Sequence, residues 1–168
     1  MVRFIHRLIE DGTYAVIRYI GNEEEVTVPD YGGRLTVIFD DMFKGHVELK
    51  KVRIPPTVTD IGGFVFDGCN NLKEIELPRD LCGMWQYAFA RCGINSVDIP
   101  GGVGQIIAYT FKDCKNLRRV VCHPGMKKIF AYAFEGCENL ETVTVPADTV
   151  IDEHAFDGCP ETLSIIRV

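Results

Sequence analysis

The chain has 168 residues, 46% of them apolar and 25% charged, which suits one ordinary globular domain and excludes a disordered or collagen-like polymer. A formal net charge of −6 argues against a nucleic-acid partner, whose backbone demands a basic face. No stretch approaches the roughly 18 to 20 consecutive apolar residues that cross a bilayer, so no membrane insertion is expected.

Residues 3 to 20, "RFIHRLIEDGTYAVIRYI", hold two alternating apolar runs about Asp11-Gly12, a pair whose tolerance of positive φ suits a tight hairpin turn. The segment 1–25 is expected to cap the units that follow. Arg3 and Arg7 are met by Glu10 and Asp11 before an apolar signal core can form, so the chain as written reads as cytoplasmic. As a piece of a longer protein it reads as secreted or held at a cell surface. "GNEEEVTVP" then supplies a first short strand, with Glu23, Glu24 and Glu25 a solvated approach to it rather than a metal site.

Residues 26–168 repeat one phrase. Phe43, Phe66, Phe89, Phe111, Phe134 and Phe156 recur at intervals of 23, 23, 22, 23 and 22 residues. Three residues after each comes His46, then Cys69, Cys92, Cys114, Cys137 and Cys159. Leu49, Leu72, Ile94, Leu117, Leu140 and Leu163 follow, read with a one-residue deletion before Ile94 and a one-residue insertion before Leu163. The next apolar column is Val52, Ile75, Val97, Val120, Val143 and Ile166, within closing runs such as "VRIP", "IELP" and "VTVP" whose alternation predicts short strands with one buried side. Five residues before each Phe stands Ile38, Ile61, Met84, Ile106, Ile129 or Ile151, and the spacing from there through Phe to Cys suits a short helical or 3₁₀ turn.

A unit of about 23 residues cannot bury its own apolar columns, whereas stacked units bury them against each other. The expected fold is a repeat solenoid of about six coils, with a parallel β-sheet on one face and short strands, turns or 3₁₀ segments on the other.

The chemistry expected of such a chain is sparse. The cysteines fall once per unit, with no C-x-x-C pair and no histidine cluster at zinc spacing, and they read as a buried column of thiols in a reduced chain. Cys122-His123 are adjacent on a strand and point to opposite faces. "PGGVG", residues 100–104, lacks the Lys-Ser/Thr of a phosphate loop and reads as a turn. No catalytic residue, metal or cofactor is expected.

The outward strand positions form two columns: Glu25, Lys51, Glu74, Ser96, Arg119, Thr142 and Ile165, then Thr27, Arg53, Glu76, Asp98, Val121, Thr144 and Arg167. Arg53, Glu76, Asp98, Arg119 and Thr144 are candidate sheet-face contacts. A second flank is aromatic. Two residues before the repeating Phe stand Asp41, Phe64, Tyr87, Tyr109, Tyr132 and His154, and four before it Phe39, Gly62, Trp85, Ile107, Phe130 and Asp152. These rings read either as a structural stack along the solenoid or as a partner-binding stripe of Phe64, Trp85, Tyr87, Ile107, Tyr109, Phe130 and Tyr132. The last run, "LSIIRV", lies where an open strand edge is expected, and Leu163, Ile165 and Arg167 are candidates for homo-oligomer formation.

The phrase "I-x-x-x-A-F-x-x-C-x-x-L-x-x-V-x-V-P" resembles the BspA-type leucine-rich repeat over residues 26–168. His46 in a Cys position, the short Gly93 turn and Cys122-His123 depart from the pattern locally. The resemblance implies a curved, right-handed leucine-rich-repeat solenoid that binds proteins, often on the surface of bacteria and some protists, and it does not imply an enzyme. An end-to-end assembly subunit and an effector or inhibitor docking on another enzyme are the alternatives.

Overall fold

A computed structural model describes residues 3–168, which wind into seven stacked coils. Strands β1 (Arg3–Leu8) and β2 (Tyr14–Ile20) form the antiparallel hairpin about Asp11-Gly12. Gly12 sits at φ 86°, and the Thr13 N–H donates to Asp11 Oδ1 at 2.9 Å. Phe4 and Tyr19 from this hairpin lie against Phe43, with ring centroids 6.4 and 5.0 Å away, and cover that end of the core.

Each coil carries two short strands on different faces. In chain order they are β3 (Glu25–Thr27), β4 (Thr36–Ile38), β5 (Lys51–Arg53), β6 (Val58–Ile61), β7 (Glu74–Glu76), β8 (Gly83–Met84), β9 (Ser96–Ile99), β10 (Gln105–Ile106), β11 (Arg119–Cys122), β12 (Lys128–Ile129), β13 (Thr142–Val145), β14 (Val150–Ile151) and β15 (Ser164–Arg167). Even-numbered strands from β2 to β14 line one face and odd-numbered strands from β3 to β15 the other, all pairing in parallel. The hairpin's β2 is thus also the first rung of a ladder, so β2 and β3 make a coil that lacks the Phe phrase. Among the described residues there is no helix, and none long and apolar enough to cross a membrane.

The ladders are not continuous. The odd face breaks between β7 and β9, and the even face between β8 and β10. The first break adjoins the shortened turn: the Gly93 N–H donates to Cys69 O at 3.1 Å, and a Cβ at Gly93 would stand 2.0 Å from Asn70 O. Only glycine lets the coil pass that close.

The segment expected to be helical or 3₁₀ is a run of turns. The N–H three residues beyond each Phe returns to its carbonyl, as in Cys69 to Phe66 O and Cys114 to Phe111 O, at 3.1 and 3.3 Å. The backbone is left-handed at two positions flanking the Phe. Two before it, φ is 61° at Asp41, 58° at Phe64, 59° at Tyr87, 66° at Tyr109 and 64° at Tyr132. Two after it stand Gly45, Gly68, Arg91, Asp113, Gly136 and Gly158, with Arg91 and Asp113 holding φ of 52° and 56°. Non-glycine residues there cost on the order of 1 kcal/mol each. The alternation turns successive N–H groups along the axis: Gly45 to Asp67 O, Phe66 to Ala88 O and Gly136 to Asp157 O, at 2.7 to 2.8 Å.

Inside, the six Phe rings stack at 5.1 to 5.4 Å between neighbours, and the inner five are fully buried. The Cys column has a sharper explanation than small apolar bulk. The thiols of Cys69, Cys114, Cys137 and Cys159 donate to the carbonyls of Phe43, Phe89, Phe111 and Phe134 of the preceding coil, at 3.0 to 3.2 Å.

One register differs from the sequence reading. Strand β15 pairs Ser164 with Thr142, Ile165 with Val143, Ile166 with Thr144 and Arg167 with Val145, so there is no insertion in this strand. Ile165 and not Ile166 continues the inward column, while Ser164 and Ile166 continue the outward ones. Arg167 leaves the sheet face altogether: its Nη1 donates to Ala147 O and Thr149 O, each at 2.9 Å. The apolar match at Leu163 misled because "LSII" fits either register, and backbone pairing to β13 decides between them.

Truncating Phe111 to Ala should cost about 3–5 kcal/mol in chemical denaturation, with similar losses at Phe89 and Phe134. A surface-like tolerance at all three would overturn the shared column.

Candidate partner-binding surface

The residue after each even-numbered strand points away from the core by strand alternation, and this is where Phe39, Gly62, Trp85, Ile107 and Phe130 stand. Its N–H is held by the preceding coil: Phe39 to Val16 O, Trp85 to Ile61 O and Phe130 to Ile106 O, at 2.9 to 3.0 Å. No such bond joins Ile107 to Met84 among the described residues, in keeping with the break between β8 and β10.

A groove of about 520 Å³ opens across this break. Phe64, Trp85, Ile107 and Phe130 supply its apolar lining from four successive coils, with Ala108 between them. Gly63 lets the Gln86 carbonyl come within 3.2 Å of where a Cβ would stand, and Asp40 and Gln86 add polar groups. Trp85 is 57% exposed, a large apolar area for a residue held by a rigid backbone.

Four of the seven stripe candidates therefore meet in one concavity. The other three, Tyr87, Tyr109 and Tyr132, form with Phe64 a half-buried stack that ends on the exposed His154, with ring centroids 4.7 to 5.7 Å apart. Stacking on this flank is structural for the tyrosines, while the ring two residues earlier in each phrase turns outward. Asp40, Gly63 and Gln86 were missed by the sequence columns. Their signal lies three residues before the Phe, where Gln86 and Asp40 replace the small residues of other coils.

The sheet-face candidates Arg53, Glu76, Asp98, Arg119 and Thr144 lie on the outward columns. Arg119 pairs with Asp98 at 3.3 Å and Lys51 with Glu74 at 3.1 Å. A second concavity of about 560 Å³, lined by Lys51, Arg53, Lys73, Glu74, Glu76 and Ser96 among others, sits where this face breaks. Its charges are mixed in sign, with Lys51 and Glu74 paired across coils, so it selects no ligand class. Most other ion pairs also link one coil to the next, as Lys112 to Glu135 and Lys128 to Asp152 do. Solvent-exposed pairs of this kind contribute at most about 1 kcal/mol. Asp67 differs: its side chain is 1% exposed, it meets Arg91 at 2.7 Å, and burial raises its carboxyl above the usual range against the pull of that guanidinium.

The thiols are poor nucleophiles by environment. Burial pushes Cys69, Cys92 and Cys122 up to about 12. Cys137 and Cys159 are raised chiefly through their hydrogen bonds in the column, to Cys114 and Cys137 respectively. All seven cysteines are free, and among the described residues no group of His, Cys, Asp and Glu gathers at metal-binding range. Cys122 is buried while His123 is exposed, so the pair does not cooperate.

The model of the BspA type leucine-rich repeat region matches residues 36–162 as six copies. The chain belongs to this family. BspA-type repeats generally serve as protein-interaction scaffolds and are typically non-catalytic. A leucine-rich repeat protein from T. pallidum superposes with a TM-score of 0.81 at 28% identity, covering 96% of this chain and 82% of that one. A leucine-rich repeat protein from Bacteroides ovatus gives 0.76 at 24% identity, and a leucine rich cell surface protein from Faecalibacterium prausnitzii gives 0.70 at 25%. They cover 98% and 100% of this chain, which spans about half of either, 51%. No curated protein matches the chain.

Labelling the native BspA-type solenoid with a thiol reagent should register one prompt cysteine, the exposed Cys82, and seven after denaturation without reductant. Three or more prompt thiols in the native protein would mean that the column is open to solvent.

Proposed function

We propose that the chain is a non-catalytic binding module that holds a protein partner in the groove of Trp85, Ile107 and Phe130. The observation that carries this reading is an apolar concavity at the interrupted ladder between Met84 and Ile107, lined by Phe64, Trp85, Ile107 and Phe130 with Trp85 57% exposed. Tryptophan in such a setting is the commonest anchor of binding energy between proteins. Rigidity helps as well, because a surface fixed by axial hydrogen bonds loses little entropy when it is covered. Likeness to a cell surface protein supports a place for the partner outside the cell, on a host or neighbouring surface, ahead of an intracellular target. An effector docking on an enzyme has no residues of its own behind it.

A second reading, end-to-end assembly, is favoured by β15, an edge strand whose four residues are all exposed. Ile165 and Leu163 would carry it, whereas Arg167 is already engaged by Ala147 O and Thr149 O.

Replacing Trp85, Ile107 and Phe130 together with Ser should abolish capture of the partner from extracts or surfaces of the source organism, and leave the thermal melt within a few degrees of the parent. Unchanged capture would remove the groove from consideration. For β15, light scattering should show mass rising with concentration, and Ile165→Lys should return it to the monomer. A monomer at every accessible concentration would discard assembly.

A further inference from the structure

The groove also carries information about the chemistry of its occupant. On this flank four rings each hold a cation supplied by the chain itself. Arg7 lies over Phe39 at 5.8 Å, Lys44 over Phe64 at 4.4 Å, Lys112 over Tyr109 at 5.5 Å and Lys128 over Phe130 at 4.4 Å. Trp85 has none among the described residues, although indole is the strongest ring acceptor of a cation and this one is the most exposed.

The carboxylates show the complementary pattern. Lys44, Lys112 and Lys128 are neutralised by Asp41, Glu135 and Asp152. Asp40, which lines the groove, has no ion pair among the described residues; its Oδ1 accepts the Gly63 N–H at 2.7 Å, and its second oxygen has no hydrogen-bond donor among them. Asp60, on the neighbouring strand β6, has neither an ion pair nor a side-chain hydrogen bond among the described residues. The space over Gly83 lies 2.5 Å from Asp60 Oδ1 and 3.9 Å from Trp85 Nε1, so this carboxylate stands beside the indole. Unpaired carboxylates therefore stand near the vacant ring, while Phe64 and Phe130, the other rings of the groove, are already occupied.

From this we infer that the face of Trp85 receives an arginine or lysine side chain of the partner, its cation over the indole and flanked by Asp60 and Asp40. The inference rests on the groove being the docking site and adds what docks there. The partner segment is an extended peptide with one basic residue set among apolar ones, which cover Ile107 and Phe130. The chain's net charge of −6 attracts such a segment over distances of about the Debye length, ~8 Å at physiological salt.

Trp85 is the only tryptophan, so its fluorescence reports on the site directly. The intact chain is titrated with four peptides, acetyl-Ala-Val-X-Val-Ala-amide with X as arginine, citrulline, leucine or glutamate. The arginine peptide should shift Trp85 emission with an affinity at least tenfold above the citrulline peptide, which has the same shape without the charge. Asp60→Asn and Asp40→Asn, which keep the shape of each side chain, should each reduce that affinity threefold or more. Raising the salt to 0.5 M should weaken the arginine peptide alone.

Equal affinities for the arginine and citrulline peptides, tighter binding of leucine, or no response to any of the four at millimolar concentration would overturn the cationic occupant. Tighter leucine binding would do so while leaving the groove a protein-docking site. Loss of capture in the Trp85, Ile107 and Phe130 triple variant together with equal peptide affinities would likewise separate the two ideas.

Discussion

Between Asp41 and Gly45, and again in the next four coils, the backbone alternates in handedness so that N–H groups point forward to the carbonyls of the next coil. Most of the architecture follows from this requirement. A turn that curled on itself in one handedness would satisfy its own carbonyls and leave the coils to be joined by side chains alone. With left-handed positions two residues before and two after the Phe, the same segment closes locally through its i to i+3 bonds and still binds its neighbour. The Phe carbonyl serves both ends: it accepts the N–H three residues on, and in four coils the thiol of the following coil. A residue at the Cys position must be small, tolerant of burial and able to donate a proton. Cysteine meets all three demands, and protonation at neutral pH, enforced by burial, keeps it a donor.

The sequence made the core legible because the core is what repeats. Phe, Cys and the aliphatic columns stay in register, and a stack of coils is the only way to bury them. Glycine at four of the six positions after Phe hinted at the left-handed turn, but Arg91 and Asp113 obscured it. Aromatic side chains before Phe hid the other left-handed site entirely, since ring stacking along the axis lets bulky residues occupy a conformation that turn statistics reserve for glycine. The register of β15 was ambiguous because its two adjacent isoleucines satisfy either alternation.

The groove was less legible than its residues. A column comparison relates positions that are equivalent from coil to coil, whereas the groove draws on three different columns. Trp85 and Phe130 could be singled out as unusual, yet nothing in their spacing shows that Phe64, at the end of the aromatic stack, also lines their groove while Tyr87 does not. Nor does spacing reveal that Asp40 and Gln86 line the same wall. Those relations appear only when coil-to-coil hydrogen bonding lapses at Ile107 and the walls part. The functional reading thus depends on the places where repetition fails, as the fold depends on where it succeeds.

The two interruptions fall on opposite sides of one coil. On the odd face the pairing stops between β7 and β9, and on the even face between β8 and β10, so the coil of Met84 and Val97 is strand-paired backward on one face and forward on the other. A tensile load entering along one edge cannot run straight down that edge to the far end. It must cross the body of the fourth coil, through the turn in which Ala88 O accepts the Phe66 N–H and the Phe89 N–H donates to Thr110 O, before continuing on the opposite side. The coil that bears Trp85 is thus the one in which the strand ladder changes sides.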